Sequence, residues 1–221
     1  MTPVLYYHRV GPFRPGAPRK MTVTPGNFKS QMHFLRRNGI DVLTLDQVLA
    51  GGKGVSITFD DGFRDVMEYA LPVLQALHFP AAFFIVTGSV GGTDAWMRVT
   101  SMPEERIVDW EDVKRLRDAG MTIGSHSMTH ARLTSEEVAD SKRVLEDRLA
   151  ISIEHFAYPR GEHTPDSVNW VRRAGYKAAW ATKSGNLEPF TRQRLPVSAS
   201  ATLANFGARL LKARLGYYGR G

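Results

Sequence analysis

Cysteine is absent from the 221 residues. That excludes disulfides, thiolate metal sites and cysteine nucleophiles, and leaves His, Asp and Glu as ligands for any metal. The longest apolar run, Ala81–Val86, falls far short of the roughly 18 residues that a membrane-spanning helix needs. Met1–Val10 lacks the basic, apolar and small-residue order of a signal peptide, so the expectation is a cytoplasmic or membrane-associated chain. No sequence repeat and no Gly/Ser-rich or charge-run linker divides it; at roughly 100–200 residues per domain, one domain over 1–221 is expected. Acidic residues stop at Glu188, after which Arg192, Arg194, Arg209, Lys212, Arg214 and Arg220 follow. There is no basic patch interleaved with stacking aromatics, which argues against a nucleic-acid partner.

What remains is an ordinary globular composition, 43% hydrophobic and 23% charged with a formal net charge of +7, which sets disorder aside. Short apolar runs alternate with amphipathic stretches. The runs predict strands at Val4–Tyr7, Asp41–Leu43, Val55–Phe59, Ala81–Val86, Thr122–Gly124, His155–Tyr158, Ala178–Ala181 and Arg194–Val197. Helical spacing appears at Asn27–Asn38, Asp65–Leu77 and Trp110–Ala119, and Thr134–Glu137 reads as a capping box opening a helix to about Ala150. Strand and helix alternating in this way predict an α/β barrel; a doubly wound sheet is the alternative, but no glycine-rich phosphate fingerprint follows the first strand. The basic end, 198–221, reads as an amphipathic extension with Leu203, Phe206, Leu210 and Leu215 at near-helical spacing. Such a stripe either docks on the body or touches an anionic membrane surface.

In a parallel barrel, chemistry gathers at the C-terminal ends of strands. Four predicted strands end in reactive groups: Tyr7-His8-Arg9, Asp60-Asp61-Gly62, Ser125 to His130, and Tyr158-Pro159-Arg160-Gly161. Asp60 and Asp61 repel each other unless a cation or proton relieves them, and adjacent carboxylates can divide metal binding from proton transfer. A plain Asp-Gly turn would look the same. His126 and His130 are spaced as imidazole ligands; with one aspartate they make a three-ligand site with room for water and a carbonyl oxygen. His33, His78 and His155 read as structural, while His163 lies in the loop after the sixth strand. Tyr158, Trp180, Trp96 and Trp110 are candidates for stacking on a ligand or, equally, for the core. Gly91–Asp109 is long for a barrel loop and fits a lid or groove wall.

Ser56-Ile57-Thr58-Phe59-Asp60-Asp61-Gly62 and Gly124-Ser125-His126-Ser127-Met128-Thr129-His130 resemble the first two motifs of the polysaccharide deacetylases of carbohydrate esterase family 4. The opening Leu5-Tyr6-Tyr7-His8-Arg9-Val10 resembles the branch containing poly-N-acetylglucosamine deacetylases. The resemblance implies a distorted TIM-like (β/α)7-8 barrel, circularly permuted relative to the main family. It implies Asp60 as catalytic base, His8 as general acid, and Asp61, His126 and His130 around one divalent ion, zinc first, with cobalt or nickel as alternatives. It departs from the family at the third motif: Ala157 stands at the arginine position and Arg160 at the tyrosine position. The Arg160 backbone N–H still suits an oxyanion, and Tyr158 and Trp180 are the expected substrate contacts. The implied reaction is hydrolysis of N-acetyl groups from an amino-sugar glycan, in exopolysaccharide or cell-wall modification. An O-acetyl esterase, an amidase on a small substrate or a non-catalytic glycan-binding relative are the alternatives. The expected assembly is a monomer, with peripheral membrane contact through the basic end.

Overall fold

The computed structural model describes residues 2–13, 21–97, 104–182, 185–198 and 203–214. From the first strand, β1 (Val4–Tyr7), the chain passes into β2 (Arg9–Val10), which pairs in parallel with β3 (Thr22–Val23) as a small ribbon. Thr24 then caps α1 (Pro25–Arg37), its side chain accepting from the Asn27 N–H, and the helix buries Phe28, Met32 and Leu35. The expected strand at Asp41–Leu43 is a single bridge, Val42 to Val55. It cannot extend, because Thr44 already caps α2 (Leu45–Leu49) through a reciprocal box with Gln47.

After β4 (Ser56–Phe59), the helix expected over Asp65–Leu77 is two helices, α3 (Asp65–Tyr69) and α4 (Leu71–Ala76). Pro72 lacks the N–H that would continue α3, so the break falls at Ala70. The rest alternates: β5 (Ala82–Ile85), α5 (Trp110–Asp118), β6 (Thr122–Ser125), α6 (Ser135–Leu149), β7 (His155–Ala157), α7 (Pro165–Arg173), β8 (Ala178–Ala181), then β9 (Arg192–Gln193) and β10 (Leu195–Pro196), and finally α8 (Leu203–Arg214). The long loop before α5 carries a 3-10 turn at Ala95–Met97 and folds back through bridges Thr93–Arg106 and Phe63–Ile107. Pro103 lies outside the described residues, as do Leu215 and Arg220.

All eight strands of the main sheet run parallel, in the order β10-β1-β4-β5-β6-β7-β8-β9. The two edge strands are neighbours in sequence. One short stave, bent at Arg194, therefore pairs with β8 on one side and β1 on the other, and the sheet nearly closes into a distorted (β/α) barrel.

Alternate residues of the strands face opposite sides. One set, Leu5, Tyr7, Ile57, Phe59, Phe83, Ile85, Ile123 and Phe156, joins the large core with the helices. The other, Val4, Ala82, Phe84, Ala157, Ala178 and Trp180, packs with Leu45 and Val48 of α2 in a separate cluster that fills the lower barrel. Gly124 is required there, since a Cβ would lie 2.6 Å from the Phe84 ring. The apolar stripe of α8 is docked: Phe206 meets Phe34 of α1 edge to face at 6.0 Å, and Phe206 and Leu210 lie against Leu5, Leu195 and Val197 along the closing seam. Leu203 is exposed.

Candidate active site

Ser56, Thr58 and Asp60 share one parity of β4, so Asp60 sits one layer above Thr58 at the open end of the barrel. Its N–H donates to the Tyr7 carbonyl at 2.9 Å, which locks the strand end against β1. Arg194 donates two parallel hydrogen bonds to its carboxylate, Nη1 to Oδ1 at 2.7 Å and Nη2 to Oδ2 at 2.8 Å, and Nη1 also reaches the Thr58 hydroxyl at 3.0 Å. Both partners are buried. Burial alone would raise the Asp60 carboxyl; the Arg194 guanidinium, with His126 nearby, holds it below its ordinary value. Arg194 itself lies over the faces of Tyr6 and Phe84, 5.1 and 5.3 Å from their centroids.

Asp61 breaks the strand. Its φ of 69° is left-handed, which takes its carboxylate out of the strand's alternation and beside the two imidazoles: His126 Nε2 lies 3.4 Å and His130 Nε2 3.5 Å from Oδ1. His126 Nδ1 pairs with the Ala157 carbonyl at 2.8 Å, so that nitrogen carries the proton and Nε2 is the bare one. Ser127 and His130 are also left-handed, and so is Arg160. Of the six non-glycine residues with positive φ among the described residues, these four surround one cluster. Such backbone costs of order 1–3 kcal/mol each and persists where the surroundings over-determine it.

The surroundings here are specific. The Glu137 carboxylate accepts from the Met128 N–H at 3.0 Å and, from Thr129, the N–H at 2.8 Å and the hydroxyl at 2.6 Å. Ser127 Oγ accepts from the His130 N–H, and Ser125 Oγ from the Ser127 N–H. The Thr134 side chain accepts from the Glu137 N–H, but the capping box expected at Thr134–Glu137 is only half formed, because the glutamate side chain is spent on the histidine loop.

A divalent cation fits these residues. Asp61 Oδ1 is buried without a hydrogen-bond partner, and the three ligand atoms lie within 4.8 Å of one another. The donor set, two imidazoles and a carboxylate, suits zinc and its neighbours. Against burial, the His126 ring and the charge of His8 take the Asp61 carboxyl down to about 2. Burial, with His126 alongside, takes His130 down to about 4, the neutral and ligating form. Burial would likewise lower His126, but Asp61 and Asp60 pull it above its ordinary value, so the cluster attracts positive charge.

His8 stands beside the mouth, its ring 5.5 Å from Tyr6, and its charge acts on both carboxylates. Trp96 stacks on His130 at 5.4 Å, with a buried Nε1 that has no partner. Tyr158 and Trp180 do not face a substrate. Tyr158 is fully buried and donates its hydroxyl to the Phe190 carbonyl; Trp180 is fully buried in the lower barrel. Trp110 lies under Arg148, on α5 and α6. Arg194 was not singled out from the sequence, where it reads as part of the basic end. The available signal was an arginine opening an apolar strand pattern, since buried arginine demands a counter-charge.

A family model described as "Polysaccharide deacetylase" matches residues 48–179. YxkH of Bacillus subtilis, whose name carries the same family description, is 24% identical over 225 residues, covering 93% of this chain and 75% of that protein. The poly-β-1,6-N-acetyl-D-glucosamine N-deacetylase of Staphylococcus epidermidis is 24% identical over 189 residues, 77% of this chain; the chain spans 65% of that relative's length. The crystal structure of a polysaccharide deacetylase from Bacillus cereus superposes with a TM-score of 0.79 at 25% identity, over 95% of this chain and 68% of that one.

Proposed function

The chain belongs to the polysaccharide deacetylase family, and from that premise we propose that it removes N-acetyl groups from an amino-sugar polymer in a metal-dependent hydrolysis. The observation that carries the reading is the convergence of Asp61, His126 and His130 beside a second carboxylate, Asp60, that Arg194 keeps ionised. The overall reaction adds water across the amide: the C–N bond breaks, acetate leaves, and the sugar keeps a free amine.

Asp61, His126 and His130 would hold the ion. A divalent cation in that place supplies a Lewis acid for the acetyl carbonyl and lowers the pKa of water. Asp60 takes the proton of the attacking water, and its bidentate pairing with Arg194 fixes the carboxylate while leaving it anionic. The Arg160 N–H, at its left-handed turn after Pro159, serves the developing oxyanion by its backbone, so the side chain at that position is free to differ from the family's. His8 gives a proton to the departing amine. The chain's likeness to the staphylococcal N-deacetylase supports an N-acetylglucosamine polymer as the substrate class.

The test is acetate release from oligomers of β-linked N-acetylglucosamine, after chelation and after return of zinc, cobalt or nickel. Release should fall to background without metal and recover with it. Unchanged release from the chelated, metal-free protein would overturn the metal dependence, and no release under any metal would overturn the deacetylase reading.

A further inference from the structure

At the opposite end of the barrel from His126 lies a second cluster of metal-ligating side chains. Asp46 on α2, and Glu154 and His155 at the start of β7, bring one ligand atom each within 4.8 Å of one another. His155 is 1% exposed, yet neither ring nitrogen has a hydrogen-bond partner, and its Nε2 points toward Asp46 Oδ1 at 3.7 Å. An imidazole buried in this way is costly unless something meets its lone pair. The positive charge now at the spot belongs to Lys177, whose ammonium pairs with Asp46 and lies 3.6 Å from Glu154. Lys177 carries only donors, so it neutralises the carboxylates but gives nothing to an imidazole lone pair.

A divalent cation would satisfy all three groups. We propose that Asp46, Glu154 and His155 form a second zinc site on the floor of the barrel, in which Lys177 stands as an exchangeable surrogate cation. Asp46 and Glu154 are at the surface and Lys177 is half exposed, so the carboxylates can close on an ion by side-chain rotation and the ammonium can swing into water. Two oxygens and one nitrogen with an open position suit zinc better than calcium, which takes more oxygen ligands. The ion would tie α2, the plug of the lower barrel, to β7 directly beneath Trp180, whose ring lies 6.0 Å from that of His155. The site is separate from the reaction, so its role is to hold the floor.

Zinc alone is the probe, titrated into the chelator-treated full chain by calorimetry with bound zinc counted by elemental analysis. Two classes of site are expected, the weaker one lost in Asp46→Asn and in Glu154→Gln, both surface changes that leave the barrel folded. Lys177→Ala should tighten that weaker class at least tenfold, because it removes the competing ammonium, and should leave the tighter class unchanged. A single class in both the parent chain and Lys177→Ala would overturn the proposal. So would a second class that persists in Asp46→Asn and Glu154→Gln, since the zinc would then be held elsewhere.

Discussion

Asp60 and Asp61 are the same chemical group on consecutive residues, and their partners give them different duties. Asp60 keeps the strand's parity and receives a guanidinium; Asp61 leaves it through a left-handed φ and receives two imidazoles. Arg194 lowers the Asp60 carboxyl, so the acid limb of a kcat/KM profile should lie below the ordinary carboxylate range. In Arg194→Met the burial that remains raises Asp60, and that limb should move to higher pH by at least one unit while the basic limb stays in place. The same change should cost about 3–5 kcal/mol in denaturant unfolding at neutral pH, since it leaves a buried carboxylate without its partner. A pH profile that superposes on the parent's would contradict the role given to Arg194. The residues legible beforehand were those whose meaning is local: Asp60-Asp61 and the His126–His130 spacing announce themselves within a few positions. Arg194 acts across 134 residues and was hidden in a run of basic residues. The expected substrate contacts of Tyr158 and Trp180 fail on burial, Tyr158 in the core against the helices and Trp180 inside the barrel, because composition does not tell which aromatics at a strand end stay accessible.

At the level of elements, the histidine loop is a strained segment clamped from the helix that follows it. Glu137 supplies three of the clamping contacts to Met128 and Thr129, and the loop returns His130 to Asp61. Glu137→Ala should weaken zinc binding at the Asp61 cluster by about 10–100-fold, the range seen when groups that orient ligands are lost. Glu137→Gln keeps acceptor oxygen and should recover a part of that loss. Equal zinc affinity in all three proteins, measured by chelator competition, would show that the loop holds its shape unaided. Thr134 marks this helix start in the sequence, and a capping box with Glu137 is the local expectation, because the backbone pattern does not show a competing loop nine residues upstream. The same limit applies to the break at Ala70: helical spacing ran through Pro72, and the missing N–H decided the matter. Asp41–Leu43 has strand composition, yet the Thr44 cap leaves it only one bridge.

For the molecule as a whole, the regular alternation of strands and helices made a barrel legible, and the fold bears it out with every strand of the main sheet parallel. How the barrel closes was not legible. The strand expected at Arg194–Val197 is present as β10, but its continuation β9 has only two residues, both polar, too short for periodicity to register; together they carry Arg194 to Asp60 and seat β1, with His8, beside β4. The α8 helix covers that seam through Phe206 and Leu210. Phe206→Ala should therefore destabilise the whole chain by about 3–5 kcal/mol in chemical denaturation; a change under 1 kcal/mol would mean that the seam does not depend on the helix. The central claim is a division of labour at the mouth that this closure assembles, and Asp60→Asn tests it most directly when zinc content and acetate release are read on the same sample. Parental zinc content is expected, with acetate release reduced at least a thousandfold. Acetate release near the parental rate would contradict it.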